Sequence, residues 1–68
     1  MTFNKQQFSE DLFMIRSTEK LSRKTAAIEI AVHRSTIQGL ERGDYEPQIS
    51  NYVKIVKWMG LEVNHYIK

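Results

Sequence analysis

Residues 21–43 read LSRKTAAIEIAVHRSTIQGLERG. This stretch holds two short amphipathic segments separated by a tight turn, and the second segment ends in Glu-Arg-Gly, so the pattern predicts a helix-turn-helix. Because each residue of an α-helix advances by about 100° around the axis, Arg34, Ser35 and Gln38 fall on one side of the second helix and its apolar residues fall on the other. One side is therefore predicted to pack, and the other to face a ligand.

The composition predicts a single small domain over residues 1–68. The chain has no cysteine, which excludes disulfides, thiolate zinc sites and thiol catalysis. No apolar run approaches the ~20 residues of a membrane span, and the polar amino terminus does not have the charged-then-apolar order of a signal peptide. We therefore expect a soluble, intracellular protein.

Basic residues concentrate in the middle third of the chain. The whole sequence carries 10 Lys and Arg against 8 Asp and Glu, a net charge of +2, which permits nucleic-acid binding without requiring it. The basic residues of the middle third are Lys20, Arg23, Lys24, Arg34 and Arg42. By charge alone, this segment is either a nucleic-acid surface or an ordinary solvated one.

The pattern of caps and apolar residues predicts an all-α fold of about five helices. Asn4 and Ser22 are suited to cap the first two helices, and Gly43 can adopt the positive φ that ends the third. The predicted helices cover about residues 5–17, 23–30, 34–41, 49–59 and 63–67.

Apolar side chains at helical spacing define the predicted core. Phe3 and Phe8 are placed as a hydrophobic staple around the first helix start. The inward residues are Phe8, Leu12, Ile15, Ala27, Ile30, Ile37, Leu40, Tyr52, Ile55, Val56, Met59, Val63, Tyr66 and Ile67. Another group of large apolar residues is predicted to point outward, and it comprises Phe13, Met14, Ile28 and Trp58. These four residues indicate a protein contact, unless some of them close a thin core.

The sequence resembles the lambda-repressor-like, Cro/CI-type helix-turn-helix domain, also called the XRE family. The resemblance covers about residues 8–67 and depends on the joint spacing of several positions. These are Arg16, Leu21-Ser22, Ala27, Val32, Ile37, Glu41-Arg42-Gly43, Pro47 and Gly60-Leu61. The resemblance implies a compact five-helix domain in which helices 2 and 3 form the helix-turn-helix.

The resemblance also implies roles for individual residues. The recognition helix, about residues 34–41, would enter the major groove with Arg34 against guanine, Gln38 against adenine and Ser35 against a base or phosphate. Residues at the start of helix 2 and after helix 3 would contact phosphates, and these are Ser22, Arg23, Arg42 and Tyr45. Arg16 and Glu41 would form a partly buried structural salt bridge.

Three positions depart from the family pattern. Arg23 stands where glutamine is usual, and His33 stands at the N-cap of helix 3 where serine or threonine is usual. Gly39 replaces a longer residue on what is predicted to be the exposed side of the recognition helix. A glycine there is expected to cost ~1 kcal/mol relative to alanine and to remove a possible DNA contact.

The first functional hypothesis, which the resemblance implies, is a small, sequence-specific DNA-binding transcriptional regulator of the repressor or Cro type, in the cytoplasm of a bacterium or of a phage-infected host cell. Such a domain contacts one half-site, so a homodimer or a partner regulatory protein is expected, with Trp58, Tyr66 and Ile67 as the self-association surface. The alternative is a modulator with the same fold that binds a partner repressor or toxin, as a co-repressor, antirepressor or antitoxin does.

An enzyme is not expected. The sequence has no phosphate-cradling glycine loop and no carboxylate cluster with a partner base, and its two histidines, His33 and His65, are far apart. No catalytic residue, metal, cofactor or small-molecule substrate is therefore predicted.

Overall fold

The computed structural model describes residues 2–67, which form four α-helices. They are α1 (Lys5–Thr18), α2 (Arg23–Ile30), α3 (Arg34–Arg42) and α4 (Ile49–Trp58). α3 packs against both α1 and α2, and α4 packs against α2. The all-α prediction is confirmed, and the first four helices begin and end within one residue of their predicted bounds.

Side-chain caps explain where the first three helices begin. The side chain of Asn4 accepts a hydrogen bond from the Gln7 N–H at 3.2 Å, and Ser22 Oγ accepts one from the backbone N–H three residues on, at 3.1 Å. His33 serves as the cap of α3, because its Nδ1 accepts a hydrogen bond from the Ser35 N–H at 3.3 Å. Each cap satisfies a backbone donor that has no partner inside the helix.

Two left-handed residues set the geometry around α3. Ala31 ends α2 with φ at 71°, and Gly43 ends α3 with φ at 73°. The alanine conformation is unfavourable by about 1–2 kcal/mol, and two hydrogen bonds hold it in place. The Ala31 N–H donates to the Ala27 carbonyl at 2.8 Å, and Lys54 Nζ donates to the Ala31 carbonyl at 3.2 Å.

The core is formed by apolar residues from all four helices and from the carboxyl-terminal segment. Its buried members are Phe8, Leu12, Ala27, Ile30, Ile37, Leu40, Tyr52, Ile55, Val56 and Tyr66. Ile15 and Met59, which were predicted to face inward, are only half-buried, and Val63 is 43% exposed. The core prediction is therefore confirmed for the helix centres and wrong for Val63.

The predicted fifth helix over residues 63–67 is wrong. This segment forms consecutive turns, in which the His65 N–H bonds the Glu62 carbonyl at 3.0 Å and the Ile67 N–H bonds the Asn64 carbonyl at 3.1 Å. Ile67 then pairs with Phe3 in an isolated antiparallel bridge. A helix of one turn cannot offset its nucleation cost, and the backbone groups here find partners in the amino-terminal segment instead.

Tyr66 lies inside an aromatic cluster rather than on a surface. Its ring meets Phe8 edge to face at 5.3 Å between centroids, and only 2% of the residue is exposed. Its hydroxyl donates to Asp11 Oδ2 at 2.7 Å. The expected return of Tyr66 to the core is confirmed, and its assignment to a self-association surface is corrected, since a buried ring cannot contact a second chain.

We expect the stability of the domain to fall at alkaline pH because of Tyr66. Burial raises the pKa of Tyr66 far above its ordinary value, and the hydrogen bond and negative charge of Asp11 raise it further. The unfolded chain releases the Tyr66 proton above about pH 10, whereas the folded chain retains it. The contribution of Tyr66 to the free energy of unfolding is therefore fully present below that pH and is lost progressively as the pH rises above it. Urea unfolding across this range should show the decline.

The Tyr66→Phe variant should show a weaker alkaline decline than the parent, because it has no hydroxyl to titrate at that position. Tyr45→Phe serves as the matched control, since Tyr45 is 46% exposed. An equally steep decline in Tyr66→Phe and the parent would contradict the assignment.

Candidate nucleic-acid interface

One side of α3 is solvent-exposed and polar. Ile37 and Leu40 are buried at 0% and 1% exposure, whereas Arg34, Ser35 and Gln38 are exposed. The predicted orientation of the helix is therefore confirmed. Arg42 is also exposed and, at about 100° per residue, lies on the same side, in line with Gln38.

A positively charged groove runs between the start of α2 and this side of α3. Its lining residues are Arg16, Ser22, Arg23, Lys24, Arg34 and Gln38. The structure thus brings together two predicted base-contacting residues and two predicted phosphate-contacting residues. Lys24 was missed as a site residue, although its position next to Arg23 in the first turn of α2 indicates it.

The predicted salt bridge between Arg16 and Glu41 is present. Arg16 Nε lies 2.5 Å from Glu41 Oε2, and Nη2 lies 3.0 Å from Oε1, so the contact is bidentate. The Arg16 and Glu41 side chains are 12% and 2% exposed. Arg16 Nη1 also donates to the Leu21 carbonyl at 2.9 Å. This pair therefore connects α1 and α3 to the segment that precedes α2.

Arg23 makes a contact that the sequence analysis did not predict. Its Nε lies 3.2 Å from Glu41 Oε1, and its side chain is 43% exposed. Glu41 therefore binds two guanidinium groups, the largely buried one of Arg16 and the more exposed one of Arg23. Arg23 therefore links the start of α2 to the end of α3.

Arg42 lies at the far end of the exposed side of α3. Its Nε is 3.5 Å from Asp44 Oδ2, with side chains 63% and 48% exposed. Exposed ion pairs of this kind contribute about 0–1 kcal/mol. A phosphate can therefore compete with Asp44 for this guanidinium at little cost.

Gly39 is not exposed, which corrects the prediction for this position. It is buried under the ring of Tyr45, and a Cβ at Gly39 would lie 2.5 to 2.6 Å from the Tyr45 ring and hydroxyl. The Tyr45 hydroxyl reaches along the helix and donates to the Ser35 carbonyl at 3.4 Å. The glycine therefore provides space for a side chain from the following loop, which periodicity within α3 could not reveal.

Comparison with solved structures identifies the fold. The restriction-modification controller protein C.AhdI from Aeromonas hydrophila is 27% identical, with a TM-score of 0.74 over 88% of this chain and 91% of that one. An HTH_3 family transcriptional regulator from Vibrio cholerae is 24% identical, with a TM-score of 0.76 over 93% of this chain and 35% of that one. Neither a protein-family model nor a curated protein matches the sequence.

The chain has the fold of an XRE-type helix-turn-helix domain. A hypothetical transcription factor from Neisseria, NHTF, has this fold at only 15% identity, with a TM-score of 0.77 over 96% of this chain and 75% of that one. The chain spans about a third of the length of the Vibrio regulator. The similarities to the Vibrio and Neisseria proteins concern the fold alone. The three similar proteins are a controller protein, a transcriptional regulator and a hypothetical transcription factor.

Outward apolar residues of the helix-turn-helix domain lie on different helices. Phe13 and Met14 on α1 are 51% and 62% exposed, and Ile28 on α2 is 70% exposed, as predicted. Trp58 is half-buried, and its indole N–H donates to Glu29 Oε1 at 3.1 Å. Ile49, at 78% exposure, was missed among the outward residues.

The four helices contain between 8 and 14 residues each. Across residues 2–67, none combines the length and apolar character that crossing a bilayer requires.

Proposed function

We propose that this helix-turn-helix domain is a sequence-specific, DNA-binding transcriptional regulator of the repressor or Cro type. The observation that carries the proposal is the exposed polar side of α3 directly beside the basic groove at the start of α2. In this class of domain the recognition helix enters the major groove, and neighbouring segments contact the DNA backbone. The description of C.AhdI as a controller protein, at 27% identity, supports a regulatory role.

The exposed side chains of α3 have the chemistry for base recognition. Arg34 can donate two hydrogen bonds to guanine, and Gln38 can pair with adenine through its amide. Ser35 reaches a base edge or a phosphate at shorter range. All three belong to the first half of the helix Arg34–Arg42, which is the half that faces base edges when such a helix docks.

Phosphate contacts would come from both sides of α3. Arg23 and Lys24 lie at the groove, and Arg42 lies at the far end of the recognition helix. Ser22 starts α2, where free backbone N–H groups favour an anion. Because Glu41 already orients the Arg23 guanidinium toward the groove, this arginine loses less conformational freedom on binding.

The direct test is a titration of the purified chain against its own upstream DNA and unrelated DNA at two salt concentrations. Arg34→Ala should weaken binding to the specific DNA by about 1–3 kcal/mol and affect unrelated DNA little. Lys24→Ala should weaken binding to both DNAs and reduce the salt slope by about one.

Lys57→Ala serves as the charge-matched control for Lys24→Ala, since Lys57 is an exposed lysine in the last turn of α4 and is not among the groove-lining residues. Absent binding, or equally weak binding to both DNAs by the parent protein, would reject the proposal.

The regulator is proposed to act as a homodimer, since one recognition helix reads only one half-site. With Tyr66 in the core, Trp58 and Ile67 are the members of the predicted self-association surface that keep part of their surface exposed. Trp58→Ala should leave the helical content intact and shift the protein toward monomer in sedimentation experiments. An unchanged oligomeric state would reject the role of Trp58.

A second candidate function is supported by the exposure of Phe13, Met14 and Ile28. In this proposal the domain is a modulator that binds a partner repressor or toxin. Polar substitutions at these positions should then abolish regulation in cells without a change in DNA affinity. Unchanged regulation in these variants would remove the candidate.

A further inference from the structure

We propose that Tyr45 reads DNA sequence, by placing its ring against the methyl group of a thymine beside the recognition helix. This inference rests on the proposed function and deepens it, because it assigns part of the base specificity to the loop after α3. Within α3 itself, the side chains that carry the chemistry of base recognition are polar.

The ring of Tyr45 lies over Gly39 of α3. Tyr45 covers the place that a side chain at residue 39 would occupy, at distances of 2.5 to 2.6 Å from a Cβ built there. At about 100° per residue, position 39 is about 40° around the helix from Ser35. The ring therefore extends the exposed side of α3, although it is supplied by a different segment.

Two hydrogen bonds hold the Tyr45 ring at this position. The Asp44 N–H donates to the Gly39 carbonyl at 3.0 Å, which holds the loop against the helix directly before Tyr45. At the other end of the side chain, the hydroxyl donates to the Ser35 carbonyl at 3.4 Å. Contacts at both ends orient the ring before any DNA is bound.

The ring of Tyr45, rather than its hydroxyl, is the group that is available to contact DNA. A tyrosine hydroxyl has one hydrogen to donate, and here Ser35 already accepts it. Phosphate oxygens need a donor, so the predicted phosphate contact from Tyr45 is not favoured in this conformation. The residue is nevertheless 46% exposed, which leaves apolar ring surface available.

The thymine methyl is the matching group on the DNA. It is the apolar group that bases present in the major groove, and aromatic or aliphatic side chains contact it directly. Removal of one buried methyl is expected to weaken binding by roughly 4-fold, from the transfer free energy of one such group.

The experiment begins with selection of preferred sites from randomised DNA by the full chain. Each thymine of the selected site is then replaced in turn by deoxyuridine, which lacks only the methyl. For the parent protein, one position should show a loss of roughly 4-fold. Tyr45→Phe keeps the ring and the backbone bond between Asp44 and Gly39, so it should retain most of this sensitivity, and Tyr45→Ala should lose it.

Gly39→Ala provides an independent variant, because its Cβ would displace the ring while alanine favours the helix. It should keep its helical content and lose the deoxyuridine sensitivity. Insensitivity of the parent at every thymine, or full sensitivity in Tyr45→Ala, would overturn the inference while leaving the proposed function in place. Failure to select any sequence would overturn the proposed function and this inference with it.

Discussion

Replacing Glu41 with glutamine is expected to lower the free energy of unfolding by about 3–5 kcal/mol, the range found when one partner of a buried ion pair is removed. The Glu41 side chain is 2% exposed and contacts two guanidinium groups. Its substitution leaves the largely buried Arg16 guanidinium without a counter-charge. Urea unfolding followed by circular dichroism measures the change.

Two further variants separate the contributions to this cluster. Arg23→Ala removes the more exposed partner, 43% exposed, so its effect should stay within about 1 kcal/mol. The double variant Arg16→Met with Glu41→Leu should recover much of the lost stability, because it leaves no buried charge unpaired, and the Arg23 guanidinium that loses its partner is 43% exposed. A Glu41→Gln effect within about 0.5 kcal/mol, typical of surface substitutions, would contradict the structural role of Glu41.

Replacing Phe8 with alanine is expected to cost about 3–5 kcal/mol, the usual range for a buried phenylalanine. The residue is fully buried, and its ring lies 5.4 Å from Phe3, 5.8 Å from Tyr52 and 5.3 Å from Tyr66 between centroids. For 68 residues, the usual stability per residue amounts to a total of about 3–10 kcal/mol. The variant should therefore lose from about a third to all of this stability and unfold at a clearly lower temperature than the parent.

Phe13→Ala is the matched control for Phe8→Ala. Both positions are on α1, but Phe13 is 51% exposed, so its substitution should change stability far less. Far-UV circular dichroism and thermal unfolding of the two variants distinguish burial from helix propensity, which is the same for both substitutions. Equal effects would contradict the placement of the α1 core face.

The helices were predictable because their signals are local. Asn4, Ser22 and Gly43 mark helix ends through bonds or backbone angles within a few residues. Residues 63–67 were not predictable in the same way, because their pairing with Phe3 is a contact between distant parts of the chain. The helical spacing of their apolar residues indicated burial, which holds for Tyr66, but not the backbone conformation.

In the candidate site, too, local features were predictable and contacts between separate segments were not. The orientation of α3 followed from spacing alone, and the Arg16–Glu41 pair followed from the family resemblance. The Arg23–Glu41 contact and the Tyr45 ring over Gly39 join separate segments. A single sequence gives no signal for either contact, apart from the departures from the family pattern at Arg23 and Gly39.

The pairing of Phe3 with Ile67 means that the polypeptide enters and leaves the domain side by side. Circular permutation requires that a domain's entry and exit points lie close together, so a short linker across this bridge would close residues 3–67 into a ring. Reopening the ring at Lys20, an exposed residue with φ at 56° between α1 and α2, would make α2 and α3 the leading segment. The permuted chain would have the helix order α2, α3, α4, α1 and would present the same surface.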